Sequence, residues 1–177
     1  MGITLAICSL SKKRETILRE DPSLVWDLSR DVPGYLDLGK AWDALRVGVK
    51  PFDAEGSLSK FFVGALGKSF GDEGGFGKPR IVSAVELVQI AKAMDVVPER
   101  FLRDNAASLR GVEVHGSFFR DDFPEDPTLT AKYPELAGDD DSEIDTALAH
   151  LEETFVEVRT LVAGAAERGE ALLVVFW

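Results

Sequence analysis

The sequence predicts a single α+β domain, and three features point to that class. Short apolar runs lie near both ends, at residues 3–10 and 171–177. Between them, apolar residues recur with helical spacing, most regularly from residue 144 to residue 165. The length of 177 residues fits one domain, and such a chain buries about 70% of the surface that its unfolded form exposes. We therefore expect a small mixed or antiparallel sheet covered by several helices, formed by residues 1–177.

The N-terminal part predicts one strand and two short helices. Residues 3–10 are an apolar run of strand length and predict a buried strand. A helix capped by Ser11 follows, and three basic side chains in its first turn oppose the helix dipole. Asp21 and Pro22 form a cap and first-turn pair that opens a second helix, which we expect to reach about residue 28.

A third helix and then an irregular segment are expected next. Asp37 caps this helix, whose apolar face consists of Leu38, Ala41, Trp42 and Leu45. From residue 48 to residue 77 the chain contains eight glycines and predicts irregular backbone. Long irregular segments in compact domains are often functional, so residues 48–80 are the candidate site region.

The middle of the chain predicts a strand, a helix with a capping box, and two further short elements. Residues 80–82 form the strand, and Ser83 with Glu86 has the capping-box spacing. Residues 98–102 are expected to be helical after Pro98, and residues 112–119 to form a strand. The expected buried face of the capped helix consists of Ala84, Leu87, Val88, Ala91 and Met94.

The last third of the chain carries the most regular pattern. Ser142 is the expected cap of a long amphipathic helix and Gly169 its end. The spacing also suits a coiled-coil seam, but we prefer a helix lying across its own sheet, because residues 171–177 supply that surface. Seven consecutive apolar residues there are typical of a central strand covered on both faces. The helix pattern is carried by Ile144, Leu148, Leu151, Phe155, Val158, Val162 and Ala165.

The net charge of −11 is concentrated in one acidic segment, residues 121–145. That segment holds ten acidic side chains and one basic one and contributes −9, whereas the other 152 residues contribute −2. Such a field repels phosphate groups, so we expect no binding to nucleic acid or to anionic membranes. Two interpretations stay open, a solvated loop that keeps the protein soluble and a surface for a basic partner. The residues of such a surface are Asp121, Asp122, Asp139, Asp140, Asp141 and Glu143.

Two glycine-containing stretches imitate phosphate-binding loops but depart from the required pattern. Residues 64–69 end in Gly-Lys-Ser, yet Phe62 stands where a P-loop needs its first glycine. Residues 74–78 place Asp72 at that position and Pro79 at the position of the hydroxyl. We therefore expect no nucleotide cofactor.

The sequence contains no recognised motif for metal binding or nucleophilic catalysis. His115 and His150 are its only histidines, and Cys8 is its only cysteine, which are too few for a zinc set. Residues 139–141 lack the alternating ligands of a calcium loop. Cys8 is expected to be a buried thiol, and Ser117 is near His115 only in sequence. We expect no metal and no cofactor, and we favour a non-enzymatic protein.

The alternative is a small-molecule site, or an active site without a known motif, that uses residues 48–80. Phe76 lies in a glycine-rich loop, from which an aromatic side chain does not easily reach the core. Lys40 and Arg80 are the nearest cations, whereas Trp42 is expected to be mainly a core residue. The candidate ligand-binding residues are Asp37, Lys40, Trp42, Gly75, Phe76, Gly77 and Arg80.

Four stretches occur in the order typical of one known family. They are residues 36–45 (LDLGKAWDAL), residues 75–80 (GFGKPR), the helix that Ser83 caps, and the long helix followed by residues 168–173 (RGEALL). Together they resemble the YfbM-like family, bacterial proteins grouped as a domain of unknown function, over nearly the whole chain. Two positions depart from the family pattern: Gly39 replaces an acidic residue of LDLDKAW, and Lys78 stands between glycine and proline.

The resemblance implies one compact α+β domain in the bacterial cytoplasm and no established activity. YfbM-like domains are also placed among candidate immunity proteins of bacterial toxin systems, which suggests a toxin-neutralising role. The first apolar stretch precedes the positive charges, the reverse of a secretory signal, and no apolar run reaches the roughly 20 residues of a membrane helix. We expect a cytoplasmic interaction protein with a basic protein as partner, and we leave its oligomeric state open.

Overall fold

Five strands of the described residues form one antiparallel sheet in the order β2-β1-β5-β4-β3. The α+β class is therefore confirmed, and of the two expected sheet types the sheet is antiparallel. The structure, a computed structural model, describes residues 3–25, 34–71, 77–109, 112, 114 and 141–176. The strands are β1 (Leu5–Leu10), β2 (Tyr35–Gly39), β3 (Lys68–Ser69), β4 (Arg80–Val82) and β5 (Ala171–Phe176).

The helices of the described part lie between these strands along the chain. Two of the expected caps are confirmed, because Ser11 Oγ accepts from Arg14 N at 3.4 Å and Ser83 with Glu86 forms a capping box. Asp21 and Pro22 open a 3₁₀ turn, Pro22–Leu24, and the predicted helix beyond residue 25 lies outside the described residues. The helices are α1 (Lys12–Glu20), α2 (Ala41–Gly48), α3 (Ser57–Phe62), α4 (Ala84–Asp95), α5 (Ala106–Leu109) and α6 (Asp141–Glu167).

The two apolar runs that predicted strands form the centre of the sheet. β1 and β5 pair along their whole length, from Leu5 opposite Phe176 to Leu10 opposite Ala171. Every residue of β1 is buried, and so are the first five of β5. The prediction of a central final strand covered on both faces is confirmed.

The two faces of the sheet carry cores of different size. On one face, α2, α3, α4 and α6 pack against strand residues such as Ile7 and Val174, and this is the main core. On the other face, Leu18 of α1 and Val25 pack against residues such as Cys8, and this is the small core. Because side chains alternate along a strand, neighbouring residues of β1 and β5 belong to opposite cores.

The long helix α6 lies on the sheet as expected and ends at a glycine. Gly169 has φ +64°, the amide of Glu170 donates to the carbonyl of Ala165, and the amide of Gly169 donates to that of Ala166. These two bonds form a Schellman ending, which is why a residue without Cβ is favoured there. The predicted cap is corrected: α6 begins at Asp141, so Ser142 lies within the helix.

Asp37 does not cap a helix, and this prediction is wrong. Leu36 and Leu38 alternate with Asp37 along β2 and pack on the main core, so the strand period determines this segment. The Asp37 carboxylate instead accepts a hydrogen bond from the amide of Gly39 at 2.8 Å. Gly39, at φ +53°, then turns the chain into α2, whose cap position Lys40 has no side-chain capping bond.

The segment expected to be irregular, residues 48–77, contains regular elements in its described part. It forms a 3₁₀ turn (Lys50–Phe52), helix α3 and strand β3. The Asp53 carboxylate caps α3 by accepting from the amides of Leu58 and Ser59, at 3.0 and 2.8 Å. Burial raises the pKa of Asp53, but these amides, with those of Ser57 and the Ser59 hydroxyl, outweigh burial and lower it.

Three further expectations need correction or lie outside the described residues. Val88 is 39% exposed, because the buried line of α4 runs through Leu87, Ile90 and Met94. Residues 98–102 form turns followed by a 3₁₀ turn, Arg103–Asn105, and not a helix. Of the predicted strand at residues 112–119, Val112 and Val114 are in neither helix nor strand, and the rest lies outside the described residues.

Candidate functional site

Trp42 is a core residue at one end of the sheet, as the sequence predicted. It is 7% exposed, its indole nitrogen donates to the carbonyl of Ile3 at 3.1 Å, and its ring meets that of Phe176 edge-on with centroids 5.5 Å apart. Gly64 lies against the same ring, because a Cβ added to it would come within 2.4 Å of a Phe176 ring carbon. We call Trp42, Phe176, Gly64 and Arg80 the sheet-end corner.

Arg80 belongs to this corner but does not meet Asp37. Arg80 pairs with Val174 and so lies on the main-core side, on the strand next to that of Phe176. Asp37 pairs with Ala6 and lies between two residues that face the main core, so its side chain points to the opposite face of the sheet. The strands β2 and β4 are also three strand spacings apart, about 14 Å.

The other candidate ligand residues are distributed between this corner and residues that the structure does not describe. Lys40 is exposed at the start of α2, two residues before Trp42. Gly77 lies in an isolated bridge before β4 with φ +139°. Gly75 and Phe76 lie outside the described residues. The structure therefore brings Trp42 and Arg80 to one end of the sheet and leaves Asp37 on the other face.

Residues 63–67, the first connector, join α3 to β3 and are held by charged side chains. Arg80 Nη1 donates to the carbonyls of Ala65, Leu66 and Gly67, at 2.9, 3.4 and 3.1 Å. The connector approaches β4 so closely that a Cβ on Gly67, at φ +78°, would lie 2.4 Å from the carbonyl oxygen of Ile81. The Gly-Lys-Ser sequence thus follows a helix and enters a strand, the reverse of a P-loop, in which strand precedes helix.

Glu86 lies near the same connector and belongs to the capping box of α4. Its carboxylate accepts from the amide and the hydroxyl of Ser83, at 2.8 and 2.7 Å. Burial raises the pKa of Glu86, but the Ser83 hydroxyl and amide, the amide of Gly67 and the charge of Lys68 outweigh burial and lower it. Arg80 therefore holds the connector directly through its carbonyl groups, whereas Glu86 is held in the capping box and only lies near the amide of Gly67.

A second connector, residues 96–105, depends on a buried carboxylate that sequence reasoning missed. Glu152 of α6 is 3% exposed, and it accepts from the amides of Leu102 and Arg103, at 2.9 and 3.0 Å. Its other oxygen accepts from Arg103 Nε at 2.6 Å. Spacing was the available signal, because Glu152 lies four residues after Leu148 and three before Phe155, on the buried face of the helix.

Two other reactive groups of the described part, the Cys8 thiol and the Asp43 carboxylate, are buried within the fold. Burial raises the pKa of the Cys8 thiol to about 11, with a smaller opposing effect of Arg14, so the thiol is protonated at neutral pH. Asp43 is 6% exposed and pairs with Arg46 Nε at 2.6 Å. Among the described residues, no group of three or more His, Cys, Asp or Glu side chains is placed to hold a metal ion. None of the described helices is both long enough and apolar enough to cross a membrane.

Four of the six predicted partner-binding residues lie outside the part of the chain that the structure describes. Asp121, Asp122, Asp139 and Asp140 lie outside the described residues. Asp141 and Glu143 belong to the first turn of α6. That helix has 27 residues and is about 40 Å long, and its later turns are anchored in the main core from Leu148 to Ala165. The end of the acidic segment is therefore continuous with an element fixed to the sheet.

Comparison with known proteins identifies a solved structure of similar fold. No protein-family model matches the chain, and no functionally curated protein matches it. The solved structure of YfbM from Escherichia coli, a protein of unknown function, matches with a TM-score of 0.62 over 98% of this chain and 99% of that one, at 16% sequence identity. The resemblance seen in the sequence is thus confirmed as a shared fold: this chain has the α+β fold of YfbM.

Proposed function

We propose that this protein is a non-enzymatic, cytoplasmic interaction protein whose acidic segment binds a basic partner protein, as a toxin-neutralising immunity protein would. The observation that carries the proposal is the concentration of −9 of the net −11 charge in residues 121–145. A field of this strength steers a basic protein to the segment and makes the association fast and sensitive to salt.

The environment of the charged groups elsewhere supports a binding role over a catalytic one. Glu152 and Glu86 accept hydrogen bonds from backbone amides, and Asp53 caps a helix, so these three carboxylates stabilise the backbone of the fold. Cys8 is buried among apolar residues with a raised pKa, which disfavours the thiolate that a nucleophile needs. The acidic segment is attached to α6, which supports the proposal further. Because its C-terminal end is already held in a packed helix, the segment loses less conformational entropy on binding.

A second candidate is a small-molecule site at the sheet-end corner, and one observation favours it. Arg80 uses Nη1 for the first connector, and no described protein group pairs with its Nε or Nη2. A ligand carboxylate or phosphate would suit those two donors, with the exposed Lys40 and Lys78 as further cations on residues near this end of the sheet. Screening anionic metabolites by thermal shift tests this candidate, because a true ligand stabilises the wild type and not R80Q.

The first test is an affinity pull-down from lysate of the native cell, at about 50 mM and about 300 mM salt. The triple variant D139N/D140N/D141N removes three charges from the acidic segment. The matched control E153Q/E157Q/E167Q removes three charges from exposed positions of α6. We expect one basic protein at low salt, weakened at high salt and by the first variant only. Equal recovery with both variants, or recovery of no basic protein, contradicts the proposal.

A further inference from the structure

We draw no further inference here: the strongest candidate, the side-chain cluster around Arg80 at the sheet-end corner, belongs to the small-molecule site already described as the second candidate function.

Discussion

The first connector, residues 63–67, and the second connector, residues 96–105, are both stabilised by charged side chains, but these side chains differ in burial. In both, charged side chains bind backbone groups that neither a helix nor a strand satisfies. The first is held by Arg80, which is partly exposed, and the second by Glu152, which is 3% exposed. A backbone group that loses its hydrogen-bond partner is destabilised more where water cannot replace that partner. Removing the side chain that holds the second connector should therefore lower the free energy of unfolding more than removing the one that holds the first.

The largest effect should come from breaking the buried connector. E152A removes the carboxylate that accepts from the amides of Leu102 and Arg103 and from Arg103 Nε. We expect the free energy of unfolding to fall by about 3–5 kcal/mol, measured by urea denaturation. The control E153A changes the adjacent residue, whose side chain is 78% exposed, and should cost no more than about 0.5 kcal/mol. A loss below 1 kcal/mol for E152A would remove the distinction between the connectors.

A backbone contact of the first connector should give the next effect. G67A introduces a Cβ into the left-handed region and toward the Ile81 carbonyl. We expect a loss of about 2–3 kcal/mol. G56A is the matched control, since Gly56 has φ +72° and open space around its Cβ position, and should cost only about 1 kcal/mol. Equal losses in chemical denaturation would mean that the connector moves away from β4 without cost.

Removing the charged clamp of the first connector should have a smaller effect. R80Q loses the donor to three carbonyls, but water can reach these groups in part. The expected loss is about 1.5 kcal/mol, roughly half that of E152A. The control is R159Q, at a partly exposed position of α6, which measures the effect of removing an arginine that does not hold the connector. If R80Q proves as destabilising as E152A, burial does not determine how much these charged side chains stabilise the fold.

The smallest effect should come from Glu86 and should depend on pH. Because its folded pKa lies below the ordinary value of 4.5, the carboxylate stabilises the fold above that pH, and this stabilisation is lost as pH falls through the folded pKa. E86Q should cost about 1 kcal/mol at neutral pH and almost nothing well below pH 4. Unfolding curves over this pH range, with E153Q as control, measure it. A difference that is constant with pH would contradict the assignment.

Local patterns predicted the parts of the fold that local physics decides. The apolar runs of β1 and β5, the Ser83–Glu86 box and the spacing of α6 each follow from neighbouring residues, and all are observed. Asp37 was misassigned because pairing with β1 overrides the helical spacing of its neighbours. The turns at residues 98–102 depend on Glu152, which is fifty residues away in sequence.

The candidate site was less predictable for the same reason. Trp42 could be placed in the core from its helical face, whereas the partners of Arg80 are three carbonyl groups that carry no sequence signal. Asp37 and Arg80 are separated by the alternation of strands and the sheet order, neither of which a single sequence displays. The acidic segment, by contrast, is a property of composition and was visible at once.

The central position of β5 also determines when this domain becomes able to fold. Leu10 pairs with Ala171, and every other pair of these two strands is farther apart in sequence. On the ribosome, β5 is made at least about 160 residues after β1, so the two halves of the sheet cannot join until residues 171–176 have emerged. Contacts between such distant residues also make folding slow. The edge of β1 that faces β5 is thus unpaired while the residues between the two strands are made, although β2 can pair with its other edge, and the nascent domain should depend on chaperones that hold apolar segments.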